Sequence, residues 1–101
     1  MNTGKKFDND NKIRWDCVPL EMIECIAKVM THGASKYDEN PEDPNWIKVS
    51  KGEHRYKAAM FRHMMSDLKG KILDNDSGEE HIDHFLFNAM AYAYFRKKNR
   101  K

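Results

Sequence analysis

Residues 81–98 read His81-Ile82-Asp83-His84-Phe85-Leu86-Phe87-Asn88-Ala89-Met90-Ala91-Tyr92-Ala93-Tyr94-Phe95-Arg96-Lys97-Lys98. Ile82, Phe85, Leu86, Ala89, Met90 and Ala93 recur at helical spacing and form one apolar face. Past the first two turns, Phe87, Ala91, Tyr92, Tyr94 and Phe95 cover most of the remaining circumference. A helix apolar nearly all round has to be buried on several sides. This segment therefore belongs at the centre of a helical assembly.

Two further helices precede it. Pro19 suits a first helical position, where its missing N–H costs nothing. Leu20, Ile23, Ile26, Ala27 and Met30 then follow helical spacing, with Met22, Cys25 and Val29 widening the stripe and Gly33 as the expected cap. Ser50-Lys51-Gly52-Glu53 has capping-box form and opens a second helix to Lys69, stopped by Gly70. Ser77-Gly78-Glu79-Glu80 repeats that form before the third helix. Residues 1–18 read as an extended lead-in. The long loop from Ala34 to Val49, with Pro41 and Pro44, has room for a short helix in the 40s. There is no period-two alternation and no internal repeat. The predicted fold is all-α, one domain over 1–101, with three principal helices. Three helices cannot enclose the last one, so a homodimer or homotetramer is expected to complete the bundle.

With 101 residues, of which 40% are hydrophobic, the chain can build one core. No stretch approaches the roughly 18 apolar residues of a membrane span, and the polar, basic amino terminus does not read as a secretory signal. Cys17 and Cys25 make neither a disulfide framework nor a zinc-ligand spacing, so both are expected reduced in a cytoplasmic protein. The net charge of +2 conceals an asymmetry: residues 96–101 hold five of the 18 basic residues, leaving 13 against 16 acidic ones and a body at −3. A mildly acidic body suits cations better than duplex DNA. The basic tail complements a helix carboxyl end, so nucleic acid is not the expected partner.

Ionisable residues concentrate between Arg55 and Asn88. Glu21 and Glu24 stand one turn apart and share a face on which a hard cation could sit, or they simply oppose the helix dipole. His63 and Asp67 are one turn apart beside Arg62, with Arg55 two turns earlier. A His–Asp pair can orient a water, and two arginines can clamp phosphate oxygens; an ordinary ion-paired face is the alternative. His81, His84 and Asn88 form one stripe, Glu80 and Asp83 form a Glu-x-x-Asp, and the neighbouring turn adds Asp74 and Asp76. Lys36-Tyr37 and Asn45-Trp46 bracket the long loop, where the aromatics could stack on a purine, although Trp46 could equally plug the end of the bundle.

These pieces, in this order, resemble the small phage-type dATP/dGTP diphosphohydrolases, which look like relatives of the MazG-type all-α nucleotide pyrophosphohydrolases. The resemblance runs from Phe7 to about Ala93. It rests on Lys12-Ile13-Arg14-Trp15-Asp16 with Pro19, and on Gly33-Ala34-Ser35-Lys36-Tyr37 with Asn45-Trp46. The remaining matches are Arg55-Tyr56, Arg62-His63, Asp76-Ser77-Gly78, His81, His84 and Asn88. It implies conversion of a purine (d)NTP to the monophosphate plus pyrophosphate, with Mg2+, or Mn2+, as cofactor. On this resemblance Glu21, Glu24, Glu80 and Asp83 would be metal ligands, and His63, His81, His84 and Asp76 catalytic or water-orienting groups. Lys36, Arg55 and Arg62 would hold phosphates, with Tyr37, Asn45, Trp46 and Asn88 completing the substrate site. Two other readings remain: an HD-type phosphohydrolase built on His63, His81, Asp83 and His84, and a small helical phage protein that binds a host partner or nucleic acid through its tail.

Overall fold

The computed structural model describes residues 4, 11–36 and 40–100. Three α-helices dominate, α1 (Leu20–Lys36), α2 (Gly52–Leu68) and α3 (His81–Asn99), with 3-10 turns at Trp15–Cys17 and Asn45–Lys48. The all-α expectation holds, including the short helix in the 40s. None of the three helices is long and apolar enough to cross a membrane.

α2 and α3 run antiparallel. Near one end Glu53 meets Arg96 and Asn99, at 3.4 and 3.0 Å; near the other His63 meets His81 at 2.9 Å. α1 and the Asn45–Lys48 turn pack on α3 as well, so α3 is covered from several directions, as its composition demands. The close crossing of α2 and α3 depends on Gly52. A Cβ at that position would lie 2.5 Å from the Phe95 ring, well inside van der Waals contact.

Several helix boundaries differ from the sequence expectation, each for a local reason. Gly33 does not cap α1, which continues to Lys36. Neither predicted capping box forms. Lys51 takes a left-handed conformation before α2 with no side-chain cap, and the Glu53 carboxylate turns instead to Arg96 and Asn99. α3 begins only at His81, because Ser77 is engaged in the preceding turn. The stop after α2 is as expected: Gly70 adopts φ 87°. The Lys71 N–H then reaches the Ser66 carbonyl and the Gly70 N–H the Asp67 carbonyl, closing a Schellman motif.

The apolar interior is small. Among the described residues only Val29 and Ala91 are buried apolar side chains, and no large side chain is fully enclosed. Leu20 and Ile23 of α1, Phe61, Met65 and Leu68 of α2, and Ile72 beyond it stand in the open. Among the described residues the exposed apolar surface thus lies mostly on α1, the segment before it, α2 and the segment after α2, with only Ile82 on α3.

Candidate active site

The turn between α2 and α3 is held as a tight clamp. Asp74 N–H donates to the Glu79 carbonyl at 2.8 Å, Gly78 N–H to the Asp74 carbonyl at 2.8 Å, and His81 N–H to the Ile72 carbonyl at 2.7 Å. Inside it the Asp74 carboxylate accepts the Ser77 N–H at 2.9 Å, the local bond by which Asp rigidifies a turn. Ser77 Oγ accepts the Glu79 N–H at 3.1 Å and lies 2.6 Å from Nε2 of His84. These bonds fix Asp74 and Ser77 against the first turn of α3.

Three imidazoles gather there. The His63 ring, from α2, stacks on His84 with centroids 4.5 Å apart at 13°, and its Nδ1 lies 2.9 Å from Nδ1 of His81. Burial lowers the His63 pKa from 6.5 to about 4, helped by the charges that His84 and His81 would carry. Burial likewise lowers His84, against the pull of Asp74, whose carboxylate lies 3.8 Å from its Nε2. For Asp74 burial opposes ionisation, but the Ser77 N–H and hydroxyl outweigh it and hold the carboxyl below its ordinary range. His63, Asp74 and His81 each offer a ligand atom within 4.8 Å of the others.

A cleft of about 730 Å³ opens beside this group. Lys36, Arg55 and Arg62 line it with positive charge, and His84 and Asn88 lie along the α3 side. Asn88 is buried and donates to the His84 carbonyl at 2.8 Å. Trp46, Tyr56 and Phe87 form an aromatic wall. Trp46 is wedged edge-on against Phe87, Tyr94 and Phe95, at 6.3, 5.0 and 6.4 Å, and its carbonyl accepts the Tyr56 hydroxyl at 2.9 Å. It both plugs the bundle and faces the cleft, so the two sequence readings of Trp46 are compatible. Asp76 stands at the rim, where Lys36 Nζ donates to it at 2.6 Å and His32 lies at 3.4 Å; Lys36 first and His32 second lower its pKa.

The structure therefore brings Lys36, Asn45, Trp46, Arg55, Arg62, Asp76, His84 and Asn88 to one cleft. Tyr37 lies outside the described residues. The predicted metal-ligand carboxylates are arranged differently. Desolvation raises the Cys25 thiol pKa, and after it Asp83, through a hydrogen bond and its charge, and then Glu80; this puts the α1 face carrying Cys25 beside the start of α3. Glu21 and Glu24 are exposed on α1. Among the described residues these four acids do not form a compact donor group; the one that does is His63, Asp74 and His81. Of the two acids that the sequence puts in the turn, Asp74 rather than Asp76 sits with His63 and His81, while Ser77 bonds Asp74 and His84, and His32 joins Asp76. The spacing Asp74-x-x-Ser77 was the available signal for Asp74 and Ser77.

No curated protein and no solved structure matches the chain. A family model does, that of the dATP/dGTP diphosphohydrolase N-terminal region, over residues 2–101. A match of that extent, on a helical chain whose cationic and aromatic side chains share one cleft, shows that the protein belongs to the dATP/dGTP diphosphohydrolase family.

Proposed function

We propose that the cleft binds a purine deoxynucleoside triphosphate and hydrolyses it, with a divalent metal, to the monophosphate and pyrophosphate. The observation that carries this reading is the convergence of Lys36, Arg55 and Arg62 with an aromatic wall and the His84 imidazole around about 730 Å³. That volume suits one nucleotide-sized ligand. The family to which the chain belongs, that of the dATP/dGTP diphosphohydrolases, supports the substrate class.

In this reading Lys36, Arg55 and Arg62 hold phosphate oxygens, the arginines in bidentate fashion. Asn45, Trp46 and Tyr37 hold the base. Burial keeps His84 neutral, so it can take the proton of a water attacking the α-phosphorus as pyrophosphate leaves. His63 and His81 support that ring from behind, and Asp76 tunes Lys36 at the rim. Carboxylates are the donors that hard cations choose, and the exposed Glu21, Glu24 and Glu80, with Asp83, offer oxygens suited to magnesium or manganese. A cation there supplies charge neutralisation of the triphosphate.

The reading includes a second copy of the chain. Leu20 is 78% exposed and Leu68 69% exposed, and joining two copies would cover apolar side chains of this kind. Light scattering that returns a monomer at micromolar concentration would contradict this part alone. For the reaction, the protein is incubated with each dNTP and magnesium, and products are separated by chromatography. dNMP plus pyrophosphate supports the reading; inorganic triphosphate, orthophosphate or no turnover overturns it.

A further inference from the structure

We propose that His63, Asp74 and His81 form a binding site for a borderline transition-metal cation of the zinc and cobalt(II) class, separate from the carboxylates assigned to magnesium. The ligand atoms come from three different segments, α2, the connecting turn and the first residue of α3, and all lie within 4.8 Å of one another. Two imidazole nitrogens and one carboxylate oxygen are the donor mixture that such cations take, whereas magnesium favours oxygen alone.

The distances suit a cation after small adjustments. Two nitrogens bound tetrahedrally at about 2.0–2.1 Å stand roughly 3.3 Å apart, and the Nδ1 atoms of His63 and His81 are 2.9 Å apart. Small rotations of two half-buried rings separate them by the difference. Asp74 is held for the purpose, since the Ser77 N–H fixes its carboxylate, as outer-shell donors fix metal ligands. His84, stacked on His63 and 3.8 Å from Asp74, closes the side toward the cleft. The two Nδ1 atoms, 2.9 Å apart, share one proton between them, and a cation would take that proton's place. Because its donors span α2, the turn and α3, occupancy locks the two helices together at this end. The proposal does not rest on the nucleotide reading.

The test uses the full chain, freed of metal with a chelator and without nucleotide. Cobalt(II) titration is expected to produce the intense visible absorption of a tetrahedral site at one equivalent per chain. Zinc is expected to raise the melting temperature, and a large excess of magnesium to leave the cobalt band in place. H81Q and D74N are expected to weaken binding at least about tenfold, while H54Q, on an exposed histidine, binds as the parent does. Should a variant lose its helical spectrum, nitrogen NMR of the parent with zinc answers the question, since the ring nitrogens of His63 and His81 should shift together. No visible band at millimolar cobalt, displacement by magnesium, or unaltered binding in both H81Q and D74N would overturn the site. Turnover of a nucleoside triphosphate is not read in any arm, so failure of the hydrolase reading leaves the result standing.

Discussion

Ser77 Oγ lies 2.6 Å from Nε2 of His84 while the Ser77 N–H donates to the Asp74 carboxylate at 2.9 Å. One short side chain thus orients the imidazole that lines the cleft. Ser77→Ala keeps the backbone bond to Asp74 and removes only the hydroxyl. Turnover is expected to fall about tenfold with KM little changed, the pattern of a positioning group. Steady-state kinetics with circular dichroism checks both halves.

Arg62 is exposed at the cleft wall, and its proposed duty is to hold phosphate. Arg62→Ala should raise KM about tenfold and change kcat less, since the interaction is made in substrate and transition state alike. Lowering the salt concentration should widen the gap from the parent.

Asp83, at the start of α3, accepts a hydrogen bond from the Cys25 thiol of α1. Asp83→Ala and Glu24→Ala are each expected to abolish turnover while the helical spectrum persists. Unaltered activity in both would refute their place as cation ligands.

The pH dependence of stability follows from His63. Its pKa is lowered from 6.5 to about 4, so the unfolded chain binds the proton more readily. Stability is therefore full above about pH 6.5 and declines as pH falls from there toward 4. The ring is only partly buried, and solvent screening limits the loss to about 2 kcal/mol. The depressed carboxylates Asp74 and Asp76 lose their contribution only at still lower pH. Urea unfolding in chelator at pH 7 and pH 4.5 should show the decline, and His63→Gln should flatten it.

Gly52 and Phe95 define the crossing of α2 and α3. Gly52→Ala places a methyl 2.5 Å from the ring and should cost about 1–3 kcal/mol of stability. Adding Phe95→Leu should recover part of the loss in thermal unfolding.

Much of this was legible in the sequence because it depends on periodicity and charge. The all-round apolar character of residues 82–95 placed α3 at the centre, and Gly70 marked the end of α2. Lys36, Arg55, Arg62 and His84, distant in sequence, do share a cleft. What escaped was competition for single side chains. Ser77 and Glu53 have the residue types of capping boxes, but the hydroxyl of Ser77 is taken by His84 and the carboxylate of Glu53 by Arg96 and Asn99. Local spacing cannot reveal a tertiary partner. For the same reason Asp76, expected among the histidines, joins Lys36 and His32, while Asp74 faces His63 and His81.

The two tryptophans sit in opposite surroundings: Trp15 is 77% exposed, while Trp46 is pinned between rings at the cleft wall. The chain therefore carries a built-in optical gauge. Iodide should quench the red-emitting indole of Trp15 and spare the bluer one, whose residual fluorescence then reports, without any label, when the cleft fills and empties.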